Sequence, residues 1–205
     1  MERLAVGFDL DMTLIDTGPG IGAVLDVLGD ELGVEFAIAE ITAALGPPLH
    51  HVFADYLPAE RVPAAVERFR ALYPDLAIEP VSLLPGAADS VAAVRRHGGR
   101  VVVVTGKHGP NARLHLDHLG VDLDHLGGGV WGVGKADVLL AERVSVYVGD
   151  HVHDVEGAHA AGALSVSVLT GGSSEEDLRA AGTDVVLPSL VDFPAWLDGH
   201  VSGER

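Results

Sequence analysis

The sequence predicts an α/β protein whose core is a doubly wound, Rossmann-like parallel sheet carrying an inserted all-helical domain. Apolar runs of strand length recur at residues 4–8, 100–105 and 144–148, and glycine or polar residues follow each of them. Segments with apolar residues at helical spacing lie between these runs. Strands that alternate with helices are typical of a parallel sheet. One stretch without a strand pattern, residues 18–78, interrupts the alternation.

The interrupting stretch contains four helical patterns and several breaks. The predicted helices cover residues 21–32, 39–45, 49–56 and 60–73. Gly33 is a helix stop signal, and the glycine and two prolines at 46–48 separate the second helix from the third. We therefore expect residues 1–17 and 79–205 to form the core domain and residues 18–78 to form a cap domain.

The remainder of the chain continues the alternation to its end. Hinges are expected at residues 14–17 and 79–85, on either side of the insert. The predicted helices of the core cover residues 87–97, 111–119, 135–142, 155–161 and 190–197. The predicted strands after the first cover residues 100–105, 129–131, 144–148, 164–169 and 184–187.

The composition excludes several classes of partner. The chain carries 30 acidic and 13 basic residues, a net charge of −17. Such a surface repels nucleic acids and anionic membranes, so neither is an expected partner. No apolar run reaches membrane-spanning length, the start lacks a signal-peptide pattern, and cysteine is absent. We expect a cytoplasmic protein, monomeric or homodimeric, that binds phosphorylated ligands only where a metal, a lysine or a helix N-terminus supplies positive charge.

The first strand ends in the motif Asp9-Leu10-Asp11-Met12-Thr13. The carboxyl ends of strands in an open α/β sheet face the ligand crevice, so both carboxylates are expected to emerge there. Carboxylates this close repel each other unless a cation or a shared proton lies between them. A single aspartate commonly forms a turn, but a turn does not explain two acids and a threonine after a buried strand.

Three further motifs carry polar residues at the ends of strands or the starts of helices. Thr105-Gly106-Lys107 follows the second core strand, where a hydroxyl and free backbone N–H groups suit phosphate oxygens. Lys135 begins a predicted helix. Gly149-Asp150 follows the strand at 144–148, and Asp154 lies four residues further on. An acid pair at this position suits either a helix cap or a metal.

Together the four motifs resemble those of the haloacid dehalogenase-like hydrolases. The family's first motif is D-x-D-x-[TV] and its fourth is G-D-x-x-x-D, and the resemblance spans about residues 4–190. Gly106 stands where relatives often carry asparagine, and Ala136 where many carry proline. The insert occupies the position of the family's first class of cap. Within it, Leu45-Gly-Pro-Pro-Leu49 and Arg70-Ala-Leu-Tyr73 resemble the phosphoglycolate phosphatase-like branch.

The resemblance implies a Mg²⁺-dependent phosphatase of small phosphorylated metabolites that forms an aspartyl-phosphate. Asp9 would be the nucleophile, ionised at neutral pH. Asp11 would be the general acid and then the base, which requires a pKa raised toward neutrality. Thr105 and Lys135 would complete the catalytic set, with Lys107 as the competitor for the lysine role.

The resemblance also implies the ligands of the metal and the contacts of the substrate. The metal ligands would be Asp9, the backbone carbonyl of Asp11, Asp150 and, in support, Asp154. The candidate substrate contacts are Thr13, Gly106, Lys107, His50 and Arg70. His151 and His153 also suggest zinc, but the absence of cysteine and the many acids favour a hard cation such as Mg²⁺.

Two alternative functions stay open at this point. A phosphomutase of the β-phosphoglucomutase type retains an acid at the position of Asp11, whereas dehalogenases and phosphonatases lack one. Receiver domains of signalling proteins also combine a phospho-accepting aspartate with acids, a threonine or serine and a lysine. They lack an inserted helical cap, however, and they place an acid pair before the acceptor. A degenerate phosphate-binding member is disfavoured because all four motifs are intact.

Overall fold

The computed structural model describes residues 4–203 and contains a six-stranded sheet in which all neighbouring strands run parallel. The strands are β1 (Ala5–Phe8), β4 (Arg100–Thr105), β5 (His125–Gly128), β6 (Val146–Gly149), β7 (Leu164–Val168) and β8 (Val185–Leu187). They lie in the order β5-β4-β1-β6-β7-β8. The chain therefore passes to one side of β1 and later to the other, which opens a crevice at the carboxyl end of β1.

Helices cover both faces of this sheet, as the doubly wound fold predicts. They are α5 (Ala87–Arg96), α6 (Gly109–His118), α7 (Lys135–Ala141), α8 (Val152–Ala160), α9 (Glu175–Ala180) and α10 (Phe193–Ser202). Side chains alternate along β4, so Val101 and Val103 pack in the cluster with α5, α6 and α10, whereas Val102 and Val104 pack with α7 and α8. No helix within residues 4–203 is long and apolar enough to cross a membrane.

The register of the central strands aligns their carboxyl ends. Phe8 of β1 pairs with Val103 of β4 and with Val148 of β6. Because the three strands are parallel and in step, the residues that follow them emerge at the same edge. The motifs that begin at Asp9, Thr105 and Asp150 consequently meet there.

The stretch that interrupts the sheet forms a helical layer with a hydrophobic core of its own. Its helices are α1 (Gly18–Leu32), α2 (Ile38–Ala43), α3 (Leu49–Ala54) and α4 (Val62–Leu76). Phe53 and Phe69 are buried in this second core, with their ring centroids 5.9 Å apart. Two short strands, β2 (Ile15–Asp16) and β3 (Ser82–Leu83), pair antiparallel where the layer joins the sheet. The sequence pattern predicts only hinges at these two places.

The prediction of a strand at residues 129–131 is wrong. The strand is β5, which ends at Gly128, and its last two residues are glycines that pair with β4. A Cβ atom on Gly127 would lie 2.8 Å from Val138, and one on Gly128 would lie 2.5 Å from the Cα of Gly109. Close packing thus requires glycine at these two positions, and glycine has a low strand propensity. The sequence pattern therefore does not indicate a strand there.

The sequence pattern also misses helix α9. This helix spans only Glu175–Ala180, and Leu178 is its buried residue. Ser174 accepts a hydrogen bond from the backbone N–H of Asp177, whose carboxylate accepts from the backbone N–H of Ser174 in return. This capping box, rather than a hydrophobic stripe, defines the helix.

Candidate active site

A strained turn after β1 carries the two aspartates of the first motif. The backbone N–H of Asp9 donates to the carbonyl of Val148 at 2.8 Å, so the residue after β1 is still bonded to β6. Met12 adopts the left-handed conformation with φ of 58°, which costs a non-glycine residue about 1 kcal/mol or more. Its N–H donates to Ile15 at 2.8 Å and its carbonyl accepts from the hydroxyl of Thr170 at 2.6 Å. These bonds hold the turn from which Asp11 projects into the pocket beside Asp9.

Lys135 lies at the centre of the site and contacts the nucleophile candidate. Its side chain is 4% exposed, and Nζ donates to Oδ1 of Asp9 and Oδ1 of Asp154, both at 2.6 Å. A third bond reaches the hydroxyl of Tyr147 at 3.0 Å. That hydroxyl donates onward to the carbonyl of Val104 at 2.7 Å. All three N–H directions of the ammonium therefore have an acceptor, which fixes it between the two carboxylates.

Three carboxylates form a cluster suited to a divalent cation. Within residues 4–203, oxygen atoms of Asp9, Asp150 and Asp154 lie within 4.8 Å of one another, and all three residues are buried. Burial, followed by the charges of Asp154 and Asp11, raises the pKa of Asp9 to about 7 against the attraction of Lys135. Burial and the same kind of repulsion raise the pKa of Asp150 well above its ordinary value. A cation bound by these hard oxygen donors would relieve that repulsion.

In the protein alone, a pKa of about 7 works against the ionised form of Asp9 that is expected at neutral pH. The sequence identifies the acid but not its degree of burial. Positive charge supplied to the cluster favours the ionised form that a nucleophile requires.

Two glycines allow the acid cluster to pack against the backbone. A Cβ atom on Gly149 would lie 2.3 Å from Oδ2 of Asp154, and one on Gly171 would lie 1.7 Å from Oδ2 of Asp150. Thr13 is fully buried, and its hydroxyl donates to Oδ1 of Asp150 at 2.7 Å. Thr13 therefore faces an acid rather than the cavity, contrary to its expected place among the substrate contacts.

Lys107 contacts the other aspartate of the first motif. Its Nζ donates to Oδ1 of Asp11 at 2.6 Å, and its side chain is 8% exposed. Burial by itself raises the pKa of Asp11, but the charge and hydrogen bond of Lys107 outweigh it and leave the pKa below its ordinary value. The expectation of a pKa raised toward neutrality is therefore wrong for this state of the protein, because a lysine and not another acid is the nearest charge.

The cavity in front of these side chains measures about 190 Å³ and lies between the sheet edge and the helical insert. Thr105 and Gly106 line it from the sheet, and the hydroxyl of Thr105 accepts from the backbone N–H of Lys107 at 3.1 Å. His50 and Arg70 line it from the insert. Nη1 of Arg70 donates to Glu67 at 3.0 Å, whereas its buried Nε has no hydrogen-bond partner.

The two histidines after Asp150 bond to other groups. Nδ1 of His151 accepts from the backbone N–H of His153 at 3.2 Å, and Nδ1 of His153 lies 2.7 Å from Glu156. Their rings stack with centroids 4.9 Å apart. Neither belongs to the acid cluster, which is the group of possible metal ligands within the described part of the chain. The side chains that could hold a metal within residues 4–203 are therefore carboxylates, which are typical ligands of a hard cation.

A model of the haloacid dehalogenase-like hydrolases matches residues 6–159, which include all four motifs. The chain belongs to this family. A second model, described as haloacid dehalogenase hydrolase-like, matches residues 133–193 of the hydrolase. The resemblance inferred from the motifs is therefore confirmed over most of the chain.

Relatives and solved structures agree with this membership. A phosphoglycolate phosphatase of Caulobacter vibrioides is 30% identical over 228 residues, covering 95% of this chain and 90% of the relative. A tyrosine-protein kinase, PtkA, of Mycobacterium tuberculosis is 32% identical over 195 residues, covering 87% of this chain and 66% of the relative. A family hydrolase from Streptococcus pneumoniae superposes with a TM-score of 0.83 at 23% identity, covering 95% of this chain and 98% of that one. This last likeness confirms the fold of the core.

The roles of several residues of the site could not be predicted from the sequence. Tyr147 occupies an ordinary apolar position of β6, yet its hydroxyl supports Lys135. Gly171 lies in the loop after β7, where nothing in its sequence context indicates an acid beside it. Tyr73 and His115 lie on different helices, α4 and α6, and their side chains meet only in the folded hydrolase, 2.9 Å apart.

We expect His115 to make the stability of this hydrolase sensitive to acid. Burial, and then the charge of Lys107, lowers the pKa of this imidazole from 6.5 to about 4. Between these two values the unfolded chain binds a proton that the folded protein does not, so the free energy of unfolding falls as the pH falls. At pH 5 the loss amounts to roughly 2 kcal/mol.

His115→Gln removes the titrating imidazole. The free energy of unfolding of this variant is therefore expected to fall less between pH 7 and pH 5 than that of the wild type. The measurement is the free energy of unfolding in urea at pH 7 and pH 5 for both proteins. The variant starts from a lower value at pH 7, so the comparison is the drop between the two pH values in each protein. An equal drop in both would show that another group causes the acid sensitivity.

Proposed function

We propose that the protein is a Mg²⁺-dependent phosphatase of small phosphorylated metabolites, with an activity like that of its phosphoglycolate phosphatase relatives. The observation that carries this proposal is the buried contact of Lys135 with both Asp9 and Asp154 at the edge of the cavity. A carboxylate held by an ammonium beside two further acids provides a fixed nucleophile in a place where a phosphoryl group finds positive charge.

In the first step Asp9 attacks the phosphorus atom of the ester. Lys135 occupies Oδ1 of Asp9, so Oδ2 is the oxygen that forms the new bond to phosphorus. The bond from phosphorus to the ester oxygen breaks, and Asp11 donates a proton to that oxygen. The step uses the protonated form of Asp11, which is the minor form at neutral pH in the protein alone because Lys107 lowers the pKa of this carboxyl. In the second step Asp11 removes a proton from water, which attacks the same phosphorus and releases Asp9 and inorganic phosphate.

The acid cluster fits a divalent cation. Asp9, Asp150 and the backbone carbonyl of Asp11 would hold it, with Asp154 in support. When bound, it supplies positive charge against the phosphoryl oxygens. Thr13 has the role of orienting Asp150, to which its hydroxyl donates, and this role replaces its expected contact with the substrate.

The phosphoryl group is cradled from the side of the sheet. Thr105 is 1% exposed and lines the cavity, and Gly106 adds a backbone N–H at the same strand end. His50 and Arg70 face the leaving group from the insert, and the unpaired Nε of Arg70 is a donor for an acceptor on that group.

Residues 18–78 act as a cap over this site. Both stems of the insert lie beside the first motif, and its helices supply one wall of the cavity. A cavity of about 190 Å³ accommodates a small ester and excludes a folded phosphoprotein. The cap therefore excludes water and selects substrates by size.

We expect the enzyme to turn over small phosphate esters with a kcat/KM at least about a hundredfold above that for phosphopeptides. The measurement is release of inorganic phosphate from a panel of phosphometabolites, p-nitrophenyl phosphate and a phosphotyrosine peptide. Asp9→Asn is the control for contaminating phosphatase. A preference for the peptide would contradict the size selection.

The same assay separates the alternatives. A receiver-like module accepts one phosphoryl group and stops, whereas a phosphatase turns over repeatedly. A phosphomutase converts a sugar phosphate into its isomer with little release of phosphate. Continuous release from a small ester therefore supports the phosphatase against both.

A further inference from the structure

The chain contains two lysines, Lys107 and Lys135, and both lie in the active site. Every other basic side chain apart from histidine is an arginine. Lys135 is buried and Lys107 is largely buried, and each donates to a different aspartate of the first motif at 2.6 Å, Lys107 to Asp11 and Lys135 to Asp9. The ammonium of lysine is a compact charge that makes a single short contact, whereas the guanidinium of arginine is a planar fork. The site thus holds a matched pair of lysine–aspartate contacts.

The contact of Lys107 is supported by side chains from two helices that lie far apart in sequence. Nζ of Lys107 lies 5.0 Å from the centre of the ring of Tyr73, which comes from α4 of the insert. An ammonium at this distance from an aromatic face is attracted by it. The hydroxyl of Tyr73 meets Nε2 of His115 on α6 at 2.9 Å, and the two rings meet edge to face at 88°.

His115 is an unfavourable residue for a core. It is fully buried, and its Nδ1 has no hydrogen-bond partner. An unpaired buried polar atom destabilises the folded state, so an apolar side chain of the same shape would stabilise the fold better. The bond from Nε2 to Tyr73 is what the imidazole contributes. His115 destabilises the core but holds the hydroxyl of Tyr73 in place, which indicates a role in positioning.

We propose that Lys107 is a positioning residue for Asp11, and that Tyr73 of the insert and His115 of the core hold Lys107 in place. Lys107 occupies Oδ1 of Asp11, which leaves Oδ2 to carry the proton for the ester oxygen. The insert thereby reaches the acid–base group through Tyr73. This inference rests on the proposed function, because it concerns the step in which the leaving group departs.

The test compares substrates that differ in their need for a proton. The p-nitrophenolate ion leaves without one, whereas an alkoxide must be protonated as it departs. We expect Lys107→Met to lower kcat/KM for an alkyl phosphate at least about tenfold more than for p-nitrophenyl phosphate. Tyr73→Phe, which keeps the ring, is expected to give the same selective loss at about threefold. Asp11→Asn provides the benchmark for a complete loss of the acid.

Equal losses on both substrates would overturn the proposal, because they would place Lys107 on the phosphoryl group that the two esters share. Unchanged values in both variants would overturn it as well. A wild-type enzyme inactive on both esters would instead refute the proposed function. The two failures are therefore distinguishable.

A second readout does not depend on turnover and serves if Lys107→Met does not fold. Lysine labelled with ¹³C at Cε gives two side-chain signals, since the chain has two lysines. Asp11→Asn is expected to shift one signal and Asp9→Asn chiefly the other. Tyr73→Leu, which removes the ring beside Lys107, should shift the signal that Asp11→Asn shifts and leave the other in place. A Tyr73→Leu spectrum that matches the wild type would contradict the contact between the insert and Lys107.

Discussion

Asp9→Asn is expected to fold like the wild type and to lose at least about four orders of magnitude in kcat. The amide has nearly the shape of the carboxylate but is a poor nucleophile, so the covalent step disappears. Its side chain can still accept a hydrogen bond from Lys135, which donates to Oδ1 at 2.6 Å in the wild type. The measurement is kcat with p-nitrophenyl phosphate, with circular dichroism as the check on folding.

Asp89→Asn is the matched control, because Asp89 is an exposed aspartate on α5 and does not line the cavity. This variant makes the same chemical change without touching the site and is expected to retain full activity. Near-normal turnover by Asp9→Asn in a preparation free of other phosphatases would refute the assignment of the nucleophile.

Removal of divalent metal is expected to reduce activity by at least about three orders of magnitude. Without a cation, burial and the neighbouring carboxylates hold the pKa of Asp9 at about 7 and that of Asp150 well above its usual range. The protein then holds too little positive charge for both a phosphate ester and an ionised nucleophile. Treatment with EDTA followed by titration with Mg²⁺ measures the effect, and Mg²⁺ should restore the activity.

Two comparisons sharpen the metal test. Ca²⁺ takes more ligands at longer distances, so it should occupy the acid cluster and inhibit rather than activate. Asp150→Asn should raise the concentration of Mg²⁺ needed for half-maximal activity, whereas Asp89→Asn should not. Full activity of chelator-treated enzyme without added metal would contradict the assignment of Asp9, Asp150 and Asp154 to a cation.

The parts of the fold that are predictable from sequence are those in which hydrophobic burial acts on its own. The valines of β4 are buried on both faces, so the strand appears as an unbroken apolar run. β5 could not be predicted, because close contacts with Val138 and Gly109 require glycine at its end. Propensity and pattern disagree there, and tertiary packing decides the outcome.

In the site, too, some features follow from the sequence pattern and others depend on tertiary packing. The acids and both lysines follow strand ends or begin helices, and the order of the motifs is sufficient to find them. Which lysine meets which aspartate depends on distances across the fold, and so does the lowered pKa of Asp11. The roles of Tyr147 and His115 in the site could not be predicted from the sequence, because an aromatic residue within a strand or helix is most often part of an ordinary core.

Trapping of the covalent intermediate tests whether Asp9 carries the phosphoryl group. Asp11→Asn removes the base for hydrolysis, so the phosphorylated enzyme should accumulate with a substrate that needs no acid, such as p-nitrophenyl phosphate. After a rapid acid quench, mass spectrometry of the digested protein should find one phosphoryl group on the peptide that contains Asp9. We expect this modification in Asp11→Asn and its absence in the double variant Asp9→Asn, Asp11→Asn. A phosphoryl group on any other residue, or turnover by Asp11→Asn without a covalent intermediate at Asp9, would contradict it.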